Sequence, residues 1–486
     1  MDGRLSTARK VLFLLACLAL TSGLTVCGGG GEEDGGTGTP TAGGATPTSS
    51  GATPTASNAT PMPSGESVEI TMWHHEDASN LNALQALVRR FNSSQSEVKV
   101  RLAYQGTPDE NMAKTLLSLG GDPPNIAYLD EARVQRLVDT GAFRPVQEFI
   151  DAENYDLSDF DAKAIEYFTV DDKLWSMPIS LAVPLLYYNK VAFREVGLDP
   201  EKPPKDIEEL KEIATKFVKY DSHGNLVRTC LTWDLSAWMF EVAIGEYGDL
   251  YINNGNGRDG RATEVLFNGP TGRAFFQWFS DMLDEDLALN VGRNPSGADS
   301  LLPIGAGQAV MTRGSSAALR SVVDVLEGGL AQVDVELGVE LVPGLPGGTR
   351  YAGTFGRALW IPKDNPEAEQ EAAWKFIKWL MEPQQQAEWF AGSGYLSVRT
   401  SAYDLPAAQD IMAKYPQFRV PVDAFLASPA TPSTIGPLLG PFTEVRETTI
   451  VAQEEIAVAH KDPIEALNDA AEESNRIIEE YNQRVQ

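Results

Sequence analysis

The sequence predicts an α/β protein with enough chain for two lobes, built on a largely parallel sheet with helices packed on its faces. Three observations predict it. The 486 residues, 43% hydrophobic and 9% aromatic, can bury one large or two ordinary cores. Apolar residues recur with period two and then with helical spacing, in alternation, along the body of the chain. Helix start signals continue to the C-terminus.

Taken in order, Val68, Ile70 and Met72 alternate toward Trp73 as a strand. A helix follows from about Ser79, with Leu81, Leu84, Leu87, Val88 and Phe91 on one face. Val98, Val100, Leu102 and Tyr104 alternate as a second strand, and the β-α-β rhythm continues through Ile126 to Leu129 and Val183 to Tyr188. Asp206 precedes a helix holding Leu210, Ile213 and Phe217, and Asn365-Pro366 precedes one holding Trp374, Phe376 and Leu380. Asp462-Pro463-Ile464-Glu465 has the form of a capping box leading the last helix. The sequence has no internal repeat.

Ahead of the body, Arg4, Arg9 and Lys10 precede an apolar stretch over 11–20 and small residues up to Cys27, the three parts of an export signal. The stretch is too short to span a bilayer, which takes roughly 20 apolar residues. Leu24-Thr25-Val26-Cys27 resembles a bacterial lipobox, whose cysteine is lipidated; Leu14-Leu15-Ala16-Cys17 is the alternative, with almost no apolar region before it. Residues 1–26 are read as a lipoprotein signal peptide, and 27–65, rich in Gly, Thr, Pro and Ser, as a disordered tether. The expected location is extracytoplasmic, anchored to the cell membrane by an N-terminal lipid.

Net charge is −29, from 68 acidic and 39 basic residues, so a polyanion meets repulsion over most of the surface and nucleic acid is excluded as a partner. With Cys27 lipidated, Cys230 is alone in the body and no internal disulfide is expected; it reads as a small buried hydrophobe.

Five segments, in order, resemble the bacterial extracellular solute-binding proteins of the carbohydrate-transporter type. They are Ile70-Thr71-Met72-Trp73-His74; Trp175-Ser176-Met177-Pro178 with Pro184 to Lys190 and Gly197-Leu198-Asp199-Pro200; Gly307-Gln308-Ala309-Val310-Met311; Glu371 to Leu380; and Gly394-Tyr395-Leu396-Ser397-Val398-Arg399. The resemblance implies two doubly wound lobes joined by hinge crossings, of the periplasmic binding protein-like type II. Lobe 1 is placed at 66–179 and 357–394, and lobe 2 at 184–353 and 397–486. Crossings fall near 180–184, 353–356 and 394–397, where glycine and proline suit a bend.

The implied function is capture of a sugar or oligosaccharide in the interlobe cleft and delivery to the permease of an ABC importer, by a monomer without a cofactor. A receptor for glycerol-3-phosphate or another small polar solute is the alternative. Family members that take glycerol-3-phosphate place serines after an "M-P-F" turn and an arginine near the C-terminal region. The matching stretches here read Ile179-Ser180-Leu181-Ala182 and Ile435 to Gly440, without that arginine, which favours a neutral ligand.

A sugar needs planar hydrogen-bonding groups and aromatic faces together, sought at the carboxyl ends of strands. After the first strand stand Trp73 and His74, and after the third Asp130 and Glu131, which also suit a helix start. Trp233 and Asp234 form an aromatic and acidic cluster, with Trp233 as stacking platform and Trp238 as helix core. Ser315 and Ser316 follow the strand ending near Met311. Tyr351 and Gly353 precede the strand at 357–361, and Tyr395 and Arg399 belong to the last crossing, Arg399 equally suiting a clamp on a helix end. Adjacent His74 and His75 make a poor metal pair. No catalytic motif, neither G-x-S-x-G nor H-E-x-x-H nor a Walker loop, supports an enzyme; a secreted glycoside-active enzyme is the remaining competitor.

Overall fold

The predicted strands assemble into two six-stranded sheets, beside a short two-stranded one. The computed structural model describes residues 67–294, 299–327, 331–350 and 355–485; the signal segment, the tether, Cys17, Cys27, Tyr351 and Gly353 lie outside the described residues. In the first sheet β1 (Val68–His74) lies parallel to both β2 (Val98–Tyr104) and β3 (Ile126–Asp130). α1 (Ala78–Ser94) connects β1 to β2 and turns Leu84, Leu87, Val88 and Phe91 inward. The sheet is completed by strands from farther along the chain: β4 (Phe143–Arg144) and β5 (Met177–Ala182) both pair with a late strand at Phe355–Pro362, which runs antiparallel to β3.

β6 (Pro184–Asn189) follows β5 after Val183 and opens the second sheet. There β7 (Leu226–Asp234) lies parallel to β8 (Ala288–Gly292) and β9 (Ala309–Ser315), while β6 runs antiparallel to β9 and β10 (Leu337–Leu341). The late strand at Phe355–Pro362 is β11. Each sheet therefore has a parallel heart and antiparallel additions where the chain crosses between lobes, which gives an α/β fold of two lobes.

Two buried cores match the two sheets. Ile70, Met72, Ile126, Leu129, Trp360 and Phe376 belong to the first, and Phe193, Phe217, Leu231, Phe240, Phe276 and Met311 to the second. Two segments pack differently from their assignment by sequence. Leu319, Val322 and Val323 join the first core, and the C-terminal part divides, with Val398, Tyr403, Phe418 and Phe425 in the first core and Val445, Leu467 and Ile478 in the second. Apolar periodicity says that these helices bury a face, not which lobe receives it.

The crossings are tightly built. Ser316 N–H donates to Val183 O at 2.9 Å and Ser316 Oγ accepts from Val183 N–H at 3.1 Å. Gly394 ends the helix Pro383–Ser393 at φ 89°, and a Cβ there would sit 2.6 Å from Ser316 O, so only glycine fits. Among the described residues no helix is long and apolar enough to cross a membrane. Asp206 and Asp462 cap their helices through side-chain bonds to the second and third backbone amides, whereas the helix after Pro366 starts without a side-chain cap.

Candidate functional site

Register brings the site together. Arg357, at the start of β11, pairs with Asp130 on one side and Ser180 on the other, so the carboxyl end of β3, the end of β5 and the last crossing converge. Glu76, two residues beyond β1, reaches the same place and pairs with Arg357. The Arg357 guanidinium carbon lies 5.2 Å from the Tyr395 ring centroid and 5.7 Å from that of Tyr128. Tyr395 in turn stacks on Trp389, centroids 5.7 Å apart.

Hydrogen-bond directions in this cluster follow from the donor inventory. Trp389 Nε1–H can only donate, to Ser180 Oγ at 3.0 Å; Tyr128 donates its hydroxyl proton to Glu76 Oε1 at 2.7 Å, and therefore accepts from Ser180 Oγ at 2.9 Å. Burial alone would raise the Glu76 carboxyl, but Arg357 and then His75 outweigh it, and the group is held below the ordinary range. The outcome is a buried, ionised, fully oriented acid on an aromatic floor.

Both histidines stand beside it. His74 is buried at the end of β1, its Nδ1 accepting from Glu76 N–H at 3.2 Å, and burial lowers its pKa against the pull of Glu76. His75 stacks on Tyr128, accepts from Asn111 Nδ2 at 3.1 Å, and is pushed well down by burial and by Arg357. Two neutral imidazoles here are hydrogen-bonding planes rather than charges. Trp73 is half-buried in β1, paired with Ala103 and Ala127. Asp77 precedes α1 without a side-chain capping bond, and Asp130 pairs with Arg133, which also holds Asp109.

A second cluster spans the lobes. Glu131 accepts from Gly356 N–H at 3.3 Å and from Arg446 Nη2 at 3.0 Å. Arg446, on the helix Phe442–Ala459, also grips Glu241 of the helix Ala237–Glu246 with two bonds of 2.7 Å. Burial raises the Glu131 carboxyl above its usual value despite Arg446. Trp238 shares a helix face with Glu241, is half-buried, and meets Phe355 of β11 edge-on at 5.4 Å. A small recess of about 10 Å³, partly open to solvent, lies against Glu241 and Phe355 and is lined also by Asp249, Tyr251, Asn256 and Gly436.

The predicted site residues divide accordingly. His74, Asp130, Glu131 and Tyr395 enter these clusters, with Trp73 at their edge. Trp233 does not: it is fully buried in the second core, with Trp278 and Phe279 centroids each 4.8 Å away and the Arg313 guanidinium 3.7 Å over its ring. Its faces are taken, which corrects the reading of it as a platform, and the half-buried ring that meets Phe355 is that of Trp238. Asp234 faces Arg313 at 3.6 Å. Ser316 ties the crossing at Val183, and Ser315 Oγ caps Ala317 N–H at 3.2 Å. Arg399 clamps Asp159 at 2.7 Å over the Phe160 ring, on a turn of the first lobe rather than a helix end. Sequence reasoning missed Tyr128, Ser180, Glu241, Arg357, Trp389 and Arg446. Two left a signal: Arg357 interrupts a buried apolar strand, and Glu241 an apolar helix turn.

Known proteins bear on this arrangement. The family model described as bacterial extracellular solute-binding protein matches residues 86–420. The sn-glycerol-3-phosphate-binding periplasmic protein UgpB of Pectobacterium atrosepticum is 28% identical over 427 residues, covering 86% of this chain and 93% of its own. Its counterpart in Salmonella paratyphi A is 27% identical over 434 residues, covering 86% and 95%. Among solved structures, UgpB of Mycobacterium tuberculosis in complex with glycerophosphocholine superposes with a TM-score of 0.71 at 19% identity, covering 86% of this chain and 100% of that one. The acarbose-binding GacH receptor of Streptomyces glaucescens follows at 0.69 and 18%, covering 85% and 99%. These structural likenesses concern the fold, the type II arrangement of two sheet-bearing lobes.

Proposed function

This chain belongs to the bacterial extracellular solute-binding proteins, and on that premise we propose that it captures a sugar or oligosaccharide between its lobes and hands it to the permease of an ABC importer. The observation that supports this reading best is the Glu131–Arg446–Glu241 bridge, which joins the two lobes beside Trp238 and Phe355. Carboxylates and a guanidinium are planar partners for hydroxyls, and indole and phenyl rings suit the C–H faces of a sugar. A solute touching both sides stabilises closure by its differential affinity, and closure is what a permease can read.

Arg446 favours a second reading, in which a glycerol phosphate is the ligand, as in the names of the similar UgpB proteins. Charge argues against it. Arg446 is already matched by two carboxylates, so an incoming phosphate meets Glu131 and Glu241 as well as the guanidinium. A thermal-shift series with malto- and cello-oligosaccharides, sn-glycerol-3-phosphate and glycerophosphocholine separates the two. Stabilisation by an oligosaccharide, with compaction in solution scattering, is the expected result; stabilisation by the phosphates alone overturns the sugar reading.

The lipid anchor at Cys27 and the monomeric state belong to the same proposal. Incorporation of a labelled fatty acid that survives Cys17→Ala and disappears in Cys27→Ala is expected, and the reverse pattern moves the anchor to Cys17.

A further inference from the structure

The helix Val134–Thr140 follows Glu131 in the first lobe and carries two charged residues, Arg136 and Asp139, three positions apart and so on one side. Val134 and Leu137 fix the helix in the first core, while both charges reach across to the second lobe. Arg136 pairs with Glu444 Oε1 at 2.5 Å, donates from Nε to Gly440 O at 3.1 Å, and lies 5.5 Å from the Tyr481 ring centroid. Asp139 accepts from Arg261 on both carboxylate oxygens and from the Tyr481 hydroxyl on Oδ2 at 2.8 Å. Glu444 and Tyr481 stand on the helices Phe442–Ala459 and Pro463–Val485, whose Val445, Leu467 and Ile478 belong to the second core.

Each half of this contact is set by its own lobe. In the first, Gln135 Nε2 donates to Asp139 Oδ1 at 2.9 Å and orients the carboxylate. In the second, Asn482 Nδ2 donates to Ala262 O at 2.9 Å and Asn475 Oδ1 accepts from Val265 N–H at 2.7 Å, which fastens the Arg261 segment to the last helix. Gly440 leaves room for the Tyr481 ring, which a Cβ would approach to 2.1 Å. Arg261 and Tyr481 are thus two donors held side by side, facing one acceptor on the other lobe.

The contact is also separate from the groove. Asp139 lies eight residues beyond Glu131, about 12 Å at helical rise, and neither it nor its partners line the recess beside Glu241 and Phe355. We propose that Asp139, with Arg136 beside it, is an ionic clasp that biases the lobes toward closure independently of any solute, so that ionic strength tunes capture. Its bonds exist only while the lobes are together, whatever the groove holds. Asp139 is 6% exposed and bonded through both oxygens, which sets it apart from a surface ion pair. Opening returns its charge to water, so the net bias is far smaller than the gross strength of the bonds. A closed population reduced by some factor weakens any groove solute by that factor, and salt thereby reaches the affinity even for an uncharged sugar. The inference rests on the two lobes and not on the identity of the solute.

The test follows the full chain, with no solute added, by single-molecule energy transfer between dyes on Ala152→Cys and Glu472→Cys, exposed positions on opposite lobes. Cys17 and Cys27 are changed to alanine, and Cys230 is buried. The closed form is the state whose dyes have the separation found in the structure. Its ratio to the open form is expected to fall about tenfold in Asp139→Asn and about threefold in Tyr481→Phe, which keeps the ring. Raising NaCl from about 20 mM to about 0.5 M should lower the parent's ratio at least threefold. Lys211→Gln, which breaks ion pairs inside the second lobe, should leave it unchanged. The same ratio in Asp139→Asn as in the parent, a ratio indifferent to salt, or an equal fall in Lys211→Gln overturns the proposal. No arm requires a solute, so a failed clasp and a failed sugar reading are told apart.

Discussion

Each lobe sets an arginine against a buried or half-buried acid and an aromatic ring, with opposite results. In the first, Arg357 contacts Glu76 directly, Tyr128 donates to the same carboxylate, and the acid is held ionised. In the second, Arg313 lies over Trp233 but stands 3.6 Å from Asp234; burial raises the Asp234 carboxyl and pushes the Arg313 guanidinium down to about 10. Burial penalises charge in both places. What differs is whether hydrogen bonds complete the pair, as Tyr128 and Arg357 do around Glu76.

The comparison can be broken most directly at the arginines. Arg357→Met leaves Glu76 buried and uncompensated and should cost about 3–5 kcal/mol in urea unfolding, while Arg313→Met, which frees an acid already inclined to protonate, should cost only about 1–2 kcal/mol. Equal losses would mean that the two pairs are equivalent. Trp233→Ala should likewise cost about 3–5 kcal/mol, because the ring fills the second core; a near-normal melting point with lost solute binding would restore it as a sugar platform.

A smaller effect sharpens the first-lobe side. Tyr128→Phe removes the donor to Glu76 and the acceptor for Ser180, for an expected loss of about 1–2 kcal/mol by chemical denaturation. The subtlest concerns Glu246, whose folded-state value of about 8 lies above its ordinary 4.5. Below pH 4.5 both folded and unfolded chains hold the proton; between 4.5 and about 8 only the folded chain does, so this group's stabilising contribution falls as pH rises. Glu246→Gln should therefore match the parent's melting temperature near pH 4.5 and exceed it by several degrees at pH 8. A constant difference across that range would place the ionisation elsewhere.

Much of the fold was legible in single residues. Alternation at Val68, Ile70 and Met72 and the stripe from Leu84 to Phe91 became β1 and α1, because such periodicity depends on neighbours two to four positions away. Strand ends likewise pointed to His74, Asp130 and Glu131. The choice between Trp233 and Trp238 was not legible: both stand in apolar company, and only the packing of Phe275, Trp278 and Phe279 decides which ring is enclosed.

By itself, then, the sequence determined the alternation of strands and helices, the order of the crossings and the strand ends where a site could form. Tertiary structure alone decided which charges meet there. Glu131 and Arg446 are 315 residues apart and Glu76 and Arg357 are 281, and no local pattern encodes a bond whose partners are brought together only when the chain has crossed between its sheets.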